Sequence, residues 1–364
     1  MGFEAFHGNT EVVARLREAL ARDRFPSAVI ISGPRGSGKY TLSQMLAKAM
    51  NCLSPPFSEL PDFCGRCANC ESISHADDLD ARFEEAVEAR EGLRETDKKE
   101  TRIFVQTHPD VLVIPPDPPQ MLIKVDQVRH VIGTVYHRPG GKSRRVYIFT
   151  DSAFMKEAAN SLLKVLEEPP DFATLILLSQ NPGELLPTIR SRCVTFTLAP
   201  LPLADVEQYL AQHRPDWKPQ QRALVARLSA GALGRARTFD VAEYDAARKD
   251  ALTLLRSAMQ SADHSALFRA TETYRAGAEG RDKTDALIRT LYTLLQDIVF
   301  IISGTPDLIR NIDVQPELTQ LARTIDFKWV SEAAQRLADV ESGMRRNLLR
   351  NLSLDAFTLA LQRD

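Results

Sequence analysis

The chain has 364 residues, of which 44% are apolar and 26% charged, and its formal net charge at pH 7 is −2. This composition is typical of a globular protein with room for two or three domains, and it excludes a disordered or fibrous chain. The small net charge provides no global basic field for nucleic acid, and no apolar run approaches the roughly 20 residues of a membrane helix, which favours a cytoplasmic protein.

The first elements predicted along the chain are a helix, a strand and a glycine-rich loop. Residues 11–24 carry apolar side chains at helical spacing, and the β-branched run at 28–31 predicts a buried strand. The loop GPRGSGKYT follows from Gly33, and the segment after it, TLSQMLAKAM, has helical spacing again. Strand, glycine loop and helix in this order are the context of a phosphate-binding loop.

This loop fits the pattern G-x-x-x-x-G-K-[ST] except at its last position. Backbone N–H groups that turn toward a phosphate need glycines, and the loop has three: Gly33, Gly36 and Gly38. Lys39 would supply the positive charge at the start of the next helix. The last position normally binds Mg²⁺ through a hydroxyl, which Tyr40 cannot place there, and Thr41 faces about 100° away on a helix. We therefore expect an anion-binding loop with a damaged metal position.

Four of the five cysteines lie close together in the next segment: Cys52, Cys64, Cys67 and Cys70. In a reducing compartment the spacing C-x11-C-x2-C-x2-C indicates a metal rather than disulfides. Four thiolates complete a tetrahedral shell, so the pattern predicts structural Zn²⁺ without an open catalytic position. His75 is a possible substitute ligand, and Cys193 is expected to be a buried core thiol.

Residues 76–100 contain ten acids and five bases, which predicts a solvated insertion in the form of an exposed helix or loop. Two β-rich runs follow at 102–106 and 110–116. Helical spacing then returns over 123–137.

A second buried strand is predicted at 146–149, and it ends at Thr150 and Asp151. An active ATPase of this layout has Asp-Glu at this point, where the first carboxylate binds Mg²⁺. By register Thr150 takes the place of that aspartate, while a shifted register would leave Asp151 to bind the metal. Asp151 and Thr41 therefore complete a degenerate candidate nucleotide site with the loop glycines and Lys39.

The alternation of strands and helices predicts an α/β domain with a parallel sheet over residues 1–198. Its last elements are a helix at 156–168, a strand at 174–179, a helical turn at 183–189 and a strand at 194–198. Strand signals then stop. We expect a small helical domain over 199–241 and a longer one over 242–364.

These motifs together resemble the AAA+ clamp-loader subunits of bacterial DNA polymerase III. The resemblance covers residues 3 to about 240, and it is carried by GPRGSGK, the four cysteines, LLKVLEEPP (162–170) and TIRSRC (188–193). It implies a P-loop AAA+-type domain with a zinc knuckle, followed by a helical lid and an all-α collar domain. It also implies a hetero-pentamer with tau/gamma-type ATPases and delta, which acts on a sliding clamp and primer-template DNA.

Departures from the family pattern identify the kind of subunit. Motor subunits keep the P-loop Ser/Thr, the Asp-Glu pair and a lid arginine, whereas this chain has Tyr40, Thr150-Asp151 and Gly234. This combination resembles the delta-prime subunits, stators that do not hydrolyse ATP. In the family, the arginine of the SRC motif, here Arg192, is an arginine finger that reaches ATP on a neighbouring subunit. Without the motif, the residue chemistry of Arg192 favours a surface ion pair.

Three alternatives stay open at this point. The chain could be a motor subunit that tolerates Tyr40 and binds Mg²⁺ through Asp151. It could instead be a free-standing P-loop ATPase or phosphotransferase, although no candidate general base accompanies the loop and the helical C-terminal third indicates assembly. A purely structural zinc protein is the third alternative, and the TIRSRC motif argues against it.

Overall fold

The structure, a computed structural model, describes residues 2–140, 143–259, 264–275, 278–344 and 349–362, with only the main chain at positions 99, 278 and 279. The described residues form two compact units, one within residues 1–202 and 231–235 and the other within 203–230 and 236–364. The division into three domains at 198 and 241 therefore remains a prediction. None of the helices in the described ranges has the length and apolar character that crossing a bilayer requires.

The first unit is built on a six-stranded sheet, which confirms the predicted α/β class. Its strands are β1 (Ala28–Ser32), β2 (Val105–His108), β3 (Val111–Ile114), β4 (Arg145–Phe149), β5 (Ala173–Ser179) and β6 (Val194–Thr197). They lie in the order β2-β3-β4-β5-β1-β6, and all neighbours are parallel except the pair β2 and β3. The carboxyl ends of β1 and β4, where the glycine loop and Asp151 follow, therefore lie on the same edge of the sheet.

Helices cover both faces of this sheet. They are α1 (Thr10–Ala21), α2 (Lys39–Asn51), α3 (Ala68–Ser74), α4 (Leu79–Glu91), α5 (Glu95–Glu100), α6 (Val125–Val135), α7 (Lys156–Glu167) and α8 (Pro187–Arg190). One apolar cluster includes Ile31 of β1 and Leu42 of α2, and a second includes Ile30 of β1 and Leu162 of α7. Because the central strands are buried on both faces, their sequences are continuous apolar runs.

The acidic insertion forms helices α4 and α5 and is less solvated than its composition predicts. Most of its side chains are exposed, but Arg90 at the end of α4 is buried, and its guanidinium is ion-paired with buried Asp117. Arg102, which follows the insertion, lies 3.7 Å from the same carboxylate and 2.8 Å from Asp126. The insertion is therefore anchored to the domain by a buried charge pair.

The second unit is helical throughout its described residues. Its helices are α9 (Leu203–His213), α10 (Pro219–Leu228), the end of α11 (Leu233–Arg237), α12 (Val241–Met259), α13 (Ser265–Glu272), α14 (Ala278–Ile302), α15 (Gln315–Ala322), α16 (Phe327–Met344) and α17 (Arg350–Leu359). Its largest apolar cluster packs α12, α14 and α16 around Trp329, which is 1% exposed. A separate core of this size lets the unit fold on its own contacts.

Candidate phosphate-binding and metal sites

The glycine loop connects β1 to α2 at the carboxyl edge of the sheet, as the sequence predicts. Gly36 and Gly38 have φ of 81° and 87°, in the left-handed region that favours glycine. At Gly38 a side chain would also collide with Phe6, whose ring lies 2.9 Å from the position of a Cβ atom. The backbone at these two positions thus has a conformation that glycine permits and that a larger residue would adopt only with strain.

Lys39 at the start of α2 turns back into the loop. Its Nζ donates hydrogen bonds to the carbonyl oxygens of Gly33 at 2.7 Å and Pro34 at 2.8 Å. Burial lowers the pKa of Lys39, and the carboxylate of Asp151 partly opposes that effect. Ser37 in the same loop has a buried hydroxyl that lacks a hydrogen-bond partner in the described structure. A half-buried ammonium and an unpaired hydroxyl are groups with which an anion in the loop could interact.

Tyr40 points away from the loop and into the domain. Its hydroxyl donates to the carbonyl oxygen of Ala76 at 2.5 Å and accepts from Nε2 of Gln44 at 2.7 Å. Burial raises the pKa of Tyr40, so the phenol stays protonated. Thr41, the next hydroxyl along α2, is exposed. The Tyr40 hydroxyl is therefore engaged inside the domain and is not placed to bind a metal ion at the loop.

Thr150 and Asp151 follow β4 at the same edge of the sheet. The Thr150 N–H donates to the carbonyl oxygen of Ile114 at 3.1 Å, which continues the parallel pairing of β4 with β3 by one residue. The Asp151 carboxylate accepts from the N–H of Ala153 at 2.8 Å, so it closes a local turn. The negative charge of Asp151 raises the pKa of Lys39, so the two side chains are close enough to interact.

Gly234 lies directly against the phosphate loop. Its N–H donates to the carbonyl oxygen of Gly36 at 2.8 Å, and a Cβ at position 234 would lie 2.8 Å from that same oxygen. Position 234 therefore has no room for a side chain. In the motor subunits of the clamp-loader family that the sequence resembles, an arginine occupies this position. Arg235 is also close, since its backbone N lies 2.8 Å from where a Cβ of Gly36 would be.

The four predicted metal ligands come together. The Sγ atoms of Cys52, Cys64, Cys67 and Cys70 all lie within 4.8 Å of one another, and Cys52 and Cys67 are 3.9 Å apart. Tetrahedral zinc with Zn–S bonds of ~2.3 Å separates its sulfurs by about 3.8 Å. Backbone N–H groups also donate to these sulfurs, from Leu53 to Cys67 at 3.4 Å and from Cys64 to Cys52 at 3.3 Å. The donor set and its spacing fit a closed zinc site.

Two of these thiols are predisposed to lose their protons. The N–H of Arg66 lowers the pKa of Cys64. Burial raises the pKa of Cys67, but N–H groups of Cys70 and Leu53 outweigh it and bring the value to about 6. Burial raises the pKa of Cys52 and Cys70. A bound cation would favour the thiolate at all four positions.

The metal module, residues 52–77, is attached at two points to α2, the helix that follows the glycine loop. Tyr40 bonds to Ala76, just beyond α3, and the buried Lys48 ammonium lies 2.6 Å from the Asp77 carboxylate. Cys193, by contrast, lies apart from the cluster and packs half-buried against the apolar core, where burial raises its pKa to about 11. The cysteine cluster and the phosphate loop are therefore neighbours through α2.

Arg192 lies between α8 and β6, and its guanidinium has partners within the chain. Nη2 is 2.8 Å from Oε1 of Glu167, and Nη1 donates to the carbonyl oxygen of Thr188 at 3.0 Å and to Oγ of Ser191 at 3.4 Å. The Arg192 side chain remains 35% exposed. The ion pair that residue chemistry favours is thus present, and the guanidinium is also accessible.

Three contacts of these sites were not foreseen from the sequence. They involve Gln44, Ala76 and Glu167. Glu167 lies inside LLKVLEEPP, so the motif drew attention to it without naming a partner 25 residues away. Ala76 contributes only a carbonyl oxygen, for which a sequence carries no signal.

Comparisons with known proteins agree with the resemblance. A family model described as DNA polymerase III, delta subunit matches residues 8–202. Subunit delta′ of Pseudomonas aeruginosa is 31% identical over 58% of this chain and 55% of its own length. Subunit delta′ of Bacillus subtilis is 25% identical over 90% of both chains. Subunit tau of Escherichia coli is 27% identical over 70% of this chain and 33% of its own length.

The chain therefore spans about half of the Pseudomonas relative and a third of the Escherichia coli one. The family match includes the glycine loop, the cysteine cluster and the SRC motif, and it extends over more than half of the 364 residues. On this evidence the chain belongs to the DNA polymerase III delta subunit family.

Proposed function

We propose that this chain is a delta′-like clamp-loader subunit, a stator whose own nucleotide site does not hydrolyse ATP. The observation that carries the proposal is the orientation of Tyr40, whose hydroxyl bonds inside the domain where catalysis needs a metal-binding hydroxyl. Thr150 at the end of β4 and the closed contact of Gly234 on Gly36 support the same conclusion. The similarity to delta′ subunits over most of the chain agrees with it.

In this proposal the two sites have different roles. The loop glycines Gly33, Gly36 and Gly38 hold a phosphate group with Lys39, and Thr41 and Asp151 lie at its margin without completing a metal site. The four cysteines hold Zn²⁺, which supplies stability to the loop around it and takes no part in a reaction. Residues 1–198, 199–241 and 242–364 act as P-loop domain, lid and collar.

Arg192 carries the remaining chemistry. It would reach ATP on a neighbouring tau/gamma-type subunit, where a guanidinium stabilises charge that develops on the γ-phosphate. Its position after the short helix α8 and its partial exposure support this role. The assembly would be a hetero-pentamer with delta, acting on a sliding clamp and primer-template DNA in the cytoplasm.

The first test is ATP binding and turnover by the purified chain with Mg²⁺, with Lys39→Ala as the control. We expect no steady turnover, while weak nucleotide binding that Lys39→Ala removes would agree with the loop geometry. Steady turnover that depends on Lys39 would refute the stator proposal.

A second candidate function is an ATP-hydrolysing motor subunit, which the similarity to subunit tau favours. It requires Asp151 to bind Mg²⁺ in place of the missing hydroxyl. Turnover by the purified chain that is abolished by Asp151→Asn as well as by Lys39→Ala would establish this alternative.

The finger is tested in a clamp loader reconstituted with the full chain. Arg192→Ala should lower the ATPase rate of the complex by about 10³-fold or more at the site it serves, the range known for arginine fingers. Arg192→Lys should rescue little, because an ammonium cannot donate in a planar fork. Both variants should assemble normally in size-exclusion chromatography, and an unchanged rate for Arg192→Ala would contradict the role.

A further inference from the structure

Glu167 is the only carboxylate among the partners of the Arg192 guanidinium in the described structure. It is the last residue of α7, and Pro169 and Pro170 follow after one intervening residue. Its Oε1 lies 2.8 Å from Nη2, while the carbonyl of Thr188 binds Nη1. Both outer nitrogens of the guanidinium are thus engaged from within the chain.

The ion pair between Glu167 and Arg192 is not buried. Glu167 is 53% exposed and Arg192 is 35% exposed, so water and counterions screen the attraction. The guanidinium also donates to the carbonyl oxygen of Thr188 in the preceding helix α8, so two elements of the chain hold it. A site of this kind fixes the side chain's direction but yields readily to a stronger anion.

A phosphate group and a carboxylate compete for the same N–H donors. A guanidinium that donates from Nη2 to Glu167 cannot donate the same hydrogen to a γ-phosphate oxygen. A carboxylate kept within hydrogen-bond distance of the guanidinium would also repel the phosphate dianion. The contact in this structure therefore represents an arginine held back from a second anion.

We infer that Glu167 is a positioning residue. In the unassembled chain it holds the Arg192 guanidinium in an ion pair, and it must release the guanidinium when Arg192 contacts ATP on the neighbouring subunit. This inference rests on the proposed function, since it concerns the same arginine finger. The LLKVLEEPP segment, which contains Glu167, would then have a second role besides packing. It would determine how readily Arg192 leaves the ion pair and binds ATP.

The test is Glu167→Gln in the reconstituted clamp loader. The glutamine keeps the size and the hydrogen-bonding oxygen but removes the charge that competes with phosphate. We expect kcat/KM for ATP at the served site to rise by about two- to fivefold, the range that an exposed ion pair can supply. The value of kcat should change less, because saturating ATP has already displaced the carboxylate.

Glu168→Gln is the matched control. It removes the same charge one residue further along, and Glu168 offers Tyr136 only its backbone oxygen in the described structure. Its kcat/KM should equal that of the unaltered complex. The double variant Glu167→Gln/Arg192→Ala should match Arg192→Ala alone, because a residue that acts through Arg192 has no effect without it.

The outcomes separate the inference from the function on which it rests. If Glu167→Gln leaves kcat/KM unchanged or lowers it, or if its effect persists in the Arg192→Ala background, Glu167 does not park the finger. An equal rise for Glu168→Gln would reduce the effect to general charge and also overturn the inference. If Arg192→Ala alone has no effect, the finger itself is wrong, whatever Glu167 does.

Discussion

Tyr40 is the residue on which the proposed loss of the metal position in the glycine loop depends. Gly36 and Gly38 have positive φ, and Lys39 turns back into the loop and donates to the carbonyl oxygen of Gly33. The motif also indicates that a tyrosine cannot replace the hydroxyl ligand. It does not say where the phenol goes, because that depends on the carbonyl of Ala76, which the metal module brings from 36 residues away.

We expect Tyr40→Phe to destabilise the chain by about 1–2 kcal/mol, because it leaves the carbonyl of buried Ala76 without its donor. The free energy of unfolding from urea titration measures the effect. Tyr136→Phe is the control, since the Tyr136 side chain is exposed and its hydroxyl reaches a carbonyl oxygen at only 3.4 Å. Equal effects of the two substitutions would contradict a specific role for the Tyr40 hydroxyl.

The close contact between Gly234 and the carbonyl oxygen of Gly36 allows a second test at the scale of one residue. Gly234→Ala should cost about 1–3 kcal/mol, because the new Cβ would lie 2.8 Å from the carbonyl oxygen of Gly36. Gly133→Ala is the matched control in α6, where a Cβ meets nothing within 4 Å and should stabilise the helix by up to ~1 kcal/mol. Thermal unfolding of both variants should thus move in opposite directions. A Gly234→Ala protein as stable as Gly133→Ala would show that this contact does not constrain the loop.

The metal module is the clearest case at the scale of an element. The convergence of its four cysteines is predicted from their spacing alone, because metal geometry demands a few donors at short range. Its attachment to α2 does not follow, since Lys48 and Asp77 are 29 residues apart and both read as ordinary surface charges.

Metal content provides the corresponding prediction. The purified chain should contain zinc, and Cys64→Ser or Cys67→Ser should lose most of it and expose residues 52–76 to proteolysis. Cys193→Ser should keep its zinc, because Cys193 packs half-buried against a different apolar cluster and lies apart from the four cysteines. Zinc measured by atomic emission decides the matter, and equal metal in all three variants would mean that the cluster is not the site.

The acidic insertion shows where composition misleads. Its many charged residues predict a solvated segment, and most side chains of α4 and α5 are indeed exposed. Arg90, however, is buried and forms an ion pair with Asp117. A sequence gives no means to single out Arg90 from the neighbouring arginines, because its partner lies beyond the insertion.

Arg90→Met should therefore lower stability by about 3 kcal/mol, because it leaves the Asp117 carboxylate buried with a weaker partner in Arg102. Arg94→Met is the control in the same insertion, where the side chain is exposed. Denaturant unfolding and the hydrogen exchange of α4 measure both variants. Should Arg90→Met behave like Arg94→Met, the insertion would not depend on this pair.

At the scale of the whole molecule, two compact units with separate cores make separate unfolding transitions the expected behaviour. The sequence predicts the change from α/β to all-helical structure near residue 198. It does not predict that residues 231–235 return to the first unit, since that depends on contacts such as Gly234 on Gly36.

The distribution of tryptophan allows this to be measured. Both tryptophans, Trp217 and Trp329, belong to the second unit, whereas circular dichroism follows the helices of both. Removing zinc with a chelator should lower the midpoint of a denaturation transition seen by circular dichroism and leave the tryptophan fluorescence transition in place. A fluorescence midpoint that falls by the same amount would show that the units unfold together.

The packing of Tyr40 also bears on whether a complete ATPase motif could be introduced by substitution. Restoring threonine at this position would recover a hydroxyl for Mg²⁺ but would remove an aromatic ring from the core and leave the carbonyl of Ala76 without its donor. Gly234 adds a second obstacle, because an arginine there would collide with Gly36. Either substitution alone should therefore lower the stability of the domain before it improved catalysis. Recovery of the ATPase motif would then require several coupled substitutions, in which the surroundings of Tyr40 and Gly234 change together with the two residues themselves.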